Sequence, residues 1–210
     1  MTEFSPLLAF ALTALIIEIT PGPNMTYLAA LSLSSGLRTG LAAVAGIALG
    51  LLTYGIIATF GLAATIEEVP LLYDFLRWGG VLFLLWLAWE SWTGGSETGS
   101  GESHERPWPA FRRGLVTNLL NPKAALFYIA VLPEFVRPDR GTVSRQTLLL
   151  SLIYVAIATL IHATIVLLAG SLQSTIVTAN NRNAIRRAFA LMLVGIALWF
   201  ALTTERAAAP

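Results

Sequence analysis

Apolar residues run through this chain in six long stretches separated by short polar segments, and the pattern predicts an all-α, polytopic transmembrane bundle of about six helices. A membrane helix needs about 20 mostly apolar residues. The first stretch covers 5–33 and is interrupted at Thr20-Pro21-Gly22-Pro23-Asn24. The second, 40–65, has no charge between Arg38 and Glu67. The third, 71–92, carries Asp74, Arg77 and Glu90 towards its ends. The fourth, 111–132, is interrupted at Asn121-Pro122-Lys123. The fifth, 147–171, has only His162 near its middle, and the sixth, 188–203, is the shortest. Residues 93–110 are rich in Gly, Ser, Glu and Pro and read as a solvent loop, and 133–145 and 178–187 are polar.

The six stretches form two sets of three, 1–92 and 111–210, around the loop 93–110. In each set the first helix is broken at a proline beside an asparagine, and the second is the long apolar one. Three helices per half give the halves opposite orientations, so an inverted 3+3 repeat with broken first and fourth helices is expected. Interrupted segments at matching places in two halves point to a transporter binding site. Arg38, Arg106, Arg112, Arg113, Arg182, Arg186 and Arg187 fall on one side of this arrangement, against Arg77, Arg137, Arg140, Arg145 and Arg206 on the other. The excess puts the first group in the cytoplasm and both termini outside. A five-span arrangement with one re-entrant stretch is the alternative. The N-terminus has no basic segment and its apolar run breaks at prolines, so it reads as a retained helix and not a signal peptide.

Composition sharpens the picture. Charged residues make up 12% of the chain, about half the share usual in a soluble domain, and 56% of residues are hydrophobic. A net charge of +1 gives no field for nucleic acid, and the lack of cysteine removes disulfides, thiolate chemistry and cysteine-held metal. No Gly-x-Ser-x-Gly elbow or phosphate-cradling glycine loop occurs, and no His/Asp/Glu spacing suits a metal. No cofactor is expected.

The candidate chemistry lies in the two breaks. Two prolines around Gly22 open the first helix, and open backbone at membrane depth has to be buried or line a wet cavity. The half-helix beginning near Asn24 offers a positive end suited to a carboxylate, with Asn24 as its cap. A plain structural kink is the bland alternative. The Asn24-Met25-Thr26 sequon lies inside the membrane and is discounted. Glu18 is a charge at bilayer depth, where a charge costs roughly 2.5–3.5 kcal/mol, so it needs a partner. Lys123, after Pro122 in the matching break, is the natural one. That pair either locks the halves together or responds to protons or substrate, and Lys123 could instead reach the interface. Asn118 and Asn121 supply amides that suit both ends of a zwitterion, or act as polar glue between helices. His162 is a candidate proton relay or a neutral histidine bonded across helices. Glu90 reads as interfacial, beside Trp89 and Trp92. Gly46-Ile47-Ala48-Leu49-Gly50 is a close-packing face, within one chain or between copies in a homo-oligomer.

With these residues the chain resembles the LysE/RhtB family of amino-acid exporters. The likeness rests on Thr20-Pro21-Gly22-Pro23-Asn24, on the glycine-spaced second helix from Gly36 through Gly50 to Gly61, and on the run from Asn118 to Phe127 (NLLNPKAALF). The resemblance implies export of amino acids or close derivatives across the bacterial cytoplasmic (inner) membrane, driven by protons or membrane potential. The aromatic end of the third helix (Trp86, Trp89, Trp92) and His162 depart from the pattern and leave the substrate open. The expected site lies at the midplane between the broken helices. Glu18, Thr20, Pro21, Gly22, Pro23, Asn24, Asn118, Asn121, Pro122 and Lys123 bind substrate or couple transport there. Export of another small solute or a metal ion stays open, and more distantly a membrane-embedded enzyme or scaffold.

Overall fold

The computed structural model describes residues 4–20, 22–61, 70–93, 107–176 and 182–203. Pro21 and most of the loop 93–110 lie outside them. Regular structure among the described residues is entirely helical: α1 (Phe4–Ile19), α2 (Pro23–Ser35), α3 (Leu37–Thr59), α4 (Pro70–Thr93), α5 (Pro107–Leu119), α6 (Pro122–Leu126), α7 (Val143–Ile176) and α8 (Arg182–Thr203). After α6 the backbone widens into a π turn, Phe127–Val131, and tightens into a 3-10 turn, Leu132–Phe135.

Both expected breaks are present. The helices on either side of the first meet at 58°, and those on either side of the second at 53°. The cause is proline chemistry: Pro23 and Pro122 open new helices, because a ring with no N–H is tolerated only in a first turn. By length and composition α3 and α7 each suffice to cross a membrane, and the two bent pairs bring the total to four. The third and sixth apolar stretches form helices of 24 and 22 residues, long enough at about 1.5 Å per residue to span roughly 30 Å of hydrocarbon.

Several helix ends differ from the hydropathy reading. α5 begins at Pro107 and not near 111, since prolines at 107 and 109 fit a first helical turn. α7 runs beyond 147–171 at both ends, and α8 takes in the basic residues 182–187, because polar residues continue a helix once it leaves the apolar layer. α3 stops at Thr59 and not 65, with Gly61 in a left-handed conformation (φ 76°). Gly36 (φ 85°) makes the tight joint between α2 and α3 in the same way, a conformation that side chains disfavour.

α3 is the central helix, and its most extensive packing is against α5 and α7. Its glycines make this possible. A Cβ on Gly46 would strike the Phe111 carbonyl and come 2.8 Å from the Leu115 nitrogen; one on Gly114 of α5 would strike the Ala43 carbonyl. The two backbones therefore touch, and the close-packing face on α3 serves contacts within one chain. α1 and α2 pack on α7, and α4 packs on α8. Each stretch of the first half thus leans mainly on one of the second. Glu90 is more than an interfacial residue: it accepts a 2.6 Å hydrogen bond from Arg113, and the guanidinium of Arg113 lies 5.6 Å from the Trp86 ring, fastening α4 to α5. The exposed Leu, Ile and Trp side chains of α1, α4, α7 and α8 face outward, as lipid contact requires.

Candidate functional site

The two breaks converge on one small cavity of about 10 Å³. Glu18, Gly22, Asn24 and Met25 line it from the first bent pair, Asn121, Lys123 and Ala124 from the second, Leu51 from α3 and Tyr154 from α7. It has room for about one water. A larger solute does not fit within that volume.

Local chemistry sets each wall. Asn121 caps α6: its Oδ1 accepts from the Lys123 N–H at 3.0 Å. Asn24 does not cap α2. The N-cap is Gly22, in extended conformation, and Asn24 sits within the first turn. Its side chain is thereby free for another partner, and Asn24 Nδ2 donates to Asn118 Oδ1 at 2.9 Å. Both amides are buried, and Gly50 leaves the space that Asn118 fills, since a Cβ there would lie 2.7 Å from Asn118 Nδ2. This amide bridge ties the two bent pairs together. Asn24 Oδ1 and Asn118 Nδ2 have no hydrogen-bond partner among the described residues. Thr20 contributes its backbone: its hydroxyl bonds back to the Ile16 carbonyl, while its own carbonyl accepts from Lys123 Nζ at 2.7 Å. That lysine passes Gly22 on its way across the break, its Cδ at an ordinary contact distance of 3.5 Å from where a Cβ would stand. Pro23 is buried as the first residue of α2, and Pro122 opens α6.

The expected direct pair of Glu18 with Lys123 is not formed. The two groups line the same cavity, but Lys123 is held by the Thr20 carbonyl and Glu18 by α7. Tyr154 Oη donates to Glu18 Oε2 at 3.0 Å, and His162 Nε2 lies 3.0 Å from Glu18 Oε1. The His162 contact has the distance of an ion pair but lies off the line of a good N–H hydrogen bond, and Nδ1 has no hydrogen-bond partner among the described residues. The reason for the exchange of partners is rotational: α1 presents Glu18 to α7, against which it packs. Only 4% of Glu18 and 1% of His162 is exposed, so both side chains depend on protein partners and on what enters the cavity.

Sequence reasoning overlooked the aromatic residues of the site. Tyr154 holds Glu18, and Tyr54 Oη donates to the Leu119 carbonyl at 2.7 Å, satisfying a group that the second break frees. Around them the Phe127 ring stacks on Tyr154 (centroids 3.6 Å) and Tyr54 on Tyr128 (5.9 Å). The available signal was a tyrosine in an otherwise apolar run, whose hydroxyl needs a partner once buried.

Two half-spans that meet over a charged, buried cavity, inside a bundle of apolar helices, define a membrane translocator. A model of the LysE type translocator family matches residues 15–204, and the chain belongs to that family. It is 29% identical over 196 residues to an uncharacterized membrane protein of Vibrio cholerae, covering 92% of this chain and 95% of the other. It is 26% identical over 194 residues to a homoserine/homoserine lactone efflux protein of Salmonella typhimurium, covering 90% and 94%. It is 30% identical over 138 residues to a leucine efflux protein of Klebsiella pneumoniae, covering 64% and 65%. No solved structure matches the chain.

Proposed function

We propose that this protein exports an amino acid or a close derivative across the bacterial cytoplasmic membrane, by alternating access at the cavity between its two bent spans. The observation that carries the reading is the placement of an anion, Glu18, and a cation, Lys123, in the lining of one buried cavity formed by both breaks. Efflux of small amino compounds by the Salmonella and Klebsiella relatives supports it. The helix contacts across the chain suit an inverted 3+3 repeat. When the halves are swapped, the pair α3 with α5 exchanges with the pair α7 with α1 and α2, and α4 with α8 maps onto itself. Rocking of one half against the other would then break the Asn24–Asn118 bridge and the Lys123–Thr20 bond on opening. His162 Nε2, 3.0 Å from Glu18 Oε1, would stay beside that carboxylate whenever substrate does not.

The test is efflux from cells or proteoliposomes preloaded with a mixed amino-acid pool. One or a few amino acids should leave selectively. Lys123→Ala should abolish that efflux while membrane insertion is retained, because the bond lost to Thr20 is a single hydrogen bond, about 1.5–3 kcal/mol for a charged group. The double variant Asn24→Ala/Asn121→Ala should behave alike. Correctly inserted wild-type protein that moves no amino acid would redirect the reading to another small solute, and wild-type efflux by Lys123→Ala would remove that residue from the site. Tyr154→Phe takes one of two partners from Glu18 and is expected to slow efflux about tenfold. An unchanged initial rate would show that Tyr154 only fills space.

A further inference from the structure

We infer that the cavity recognises a free zwitterionic α-amino acid whose side chain carries no charge, with Lys123 taking the carboxylate and Glu18 the ammonium group. The inference rests on the export reading above and narrows its substrate.

The charges that face the cavity are few. Among its described lining residues the charged ones are Glu18 and Lys123, one of each sign. The rest of the lining is Gly22, the two amide residues Asn24 and Asn121, Tyr154, and the apolar residues Met25, Leu51 and Ala124. His162 touches Glu18 without lining the cavity, so it offers no second cation to an acidic side chain there. The α-ammonium and α-carboxylate of an amino acid use both charges fully. Lysine or arginine would bring a further cation, and glutamate a further anion, with no counter-charge in the cavity.

Without substrate each charge already holds a stand-in for its half of the zwitterion. The Thr20 carbonyl oxygen lies 2.7 Å from Lys123 Nζ, where a carboxylate oxygen would be held. His162 Nε2 lies 3.0 Å from Glu18 Oε1, where an ammonium would be held. Substrate entry exchanges these internal contacts for equivalent external ones, so neither charge is stranded at bilayer depth in either state. Asn24 Oδ1, buried on the cavity wall and without a hydrogen-bond partner among the described residues, adds an acceptor for the ammonium. The apolar wall of Met25, Leu51 and Ala124 is left for the side chain.

Proteoliposomes holding the full chain and an equimolar load of leucine, homoserine, lysine and glutamate give the test. Leucine or homoserine should leave about 50-fold faster, or more, than lysine and glutamate, the discrimination expected for one unpaired charge at membrane depth. Counterflow of the exported amino acid should be inhibited by excess free leucine. It should be insensitive to leucine methyl ester, which lacks the carboxylate, and to N-acetyl-leucine, which lacks the ammonium. Lysine or glutamate leaving as fast as leucine would overturn the charge argument and leave amino-acid export standing. Inhibition by the ester or the N-acetyl compound equal to that by leucine would overturn the assignment of Lys123 or Glu18 respectively. Release of none of the four would overturn this inference together with the export reading beneath it.

Discussion

Glu18→Gln is expected to reduce export at least a hundredfold while the protein still inserts and folds. Glutamine keeps the shape of the side chain and an oxygen that can accept from Tyr154 Oη, now 3.0 Å from Glu18 Oε2. The negative charge is what is lost. His162, 1% exposed and 3.0 Å from the carboxylate, then has no anion beside it, and an incoming ammonium has none to exchange onto. Removing one partner of a buried pair costs about 3–5 kcal/mol, and each 1.4 kcal/mol is a factor of ten in a rate or an affinity. Folding is less exposed to the change, because the amide keeps an acceptor for Tyr154 Oη in the same place. Efflux rate and the amount of folded protein in the membrane are to be measured on the same preparation. Normal abundance with lost efflux is the expected pair of results. Normal efflux would remove Glu18 from the transport machinery and leave it a structural clasp between α1 and α7.

The second large effect is on folding. Gly46→Val and Gly114→Val are each expected to lose most of the folded protein. Both glycines stand at the crossing of α3 and α5, and in both cases a Cβ meets backbone: the Phe111 carbonyl and Leu115 nitrogen for Gly46, the Ala43 carbonyl for Gly114. A flexible side chain can swing away from an added methyl, whereas helix backbone cannot, so the helices must separate. Overpacking a core costs about 1–3 kcal/mol even where side chains can yield, and this crossing is the most extensive in the bundle. Gly195, which has nothing within 4 Å of the Cβ position, is the control. Gly195→Ala should be neutral or slightly stabilising, since alanine favours helix by about 1 kcal/mol over glycine. Monodispersity and thermal stability in detergent decide the matter. A Gly46→Val protein as stable as wild type would mean that the close crossing does not hold the bundle together.

Much of the molecule is legible in the sequence, for reasons that are local. Hydropathy alone located the apolar helices, because each must satisfy its own backbone in lipid whatever its neighbours do. Both bends followed from Pro23 and Pro122, since proline acts on its own turn. The residues of the two breaks were singled out as a group, and the structure brings Glu18, Gly22, Asn24, Asn121 and Lys123 to one cavity. Helix ends were less legible. Leu37, Pro107, Val143 and Arg182 each begin a helix several residues from where hydropathy changes, because a helix need not stop where the apolar layer does.

Partnership was the part that the sequence left to the fold. Opposite charges in matching breaks made Lys123 the apparent partner of Glu18, but the rotation of α1 turns Glu18 to Tyr154 and His162, 136 and 144 residues away in the chain. Lys123 settles instead on a backbone carbonyl that Pro-Gly-Pro leaves open. Asn24 had the residue type of a cap, yet Gly22 took that position and Asn24 reached across to Asn118. Tyr54 and Tyr154 looked like ordinary apolar-run residues until their hydroxyls found Leu119 and Glu18. The sequence by itself determined a helical membrane protein with two proline-broken spans, because those properties depend on residue type and near neighbours. The tertiary structure decided which polar groups meet, because that depends on helix rotation and register, and these are set by close backbone contacts such as Gly46 against Phe111 that no single segment contains.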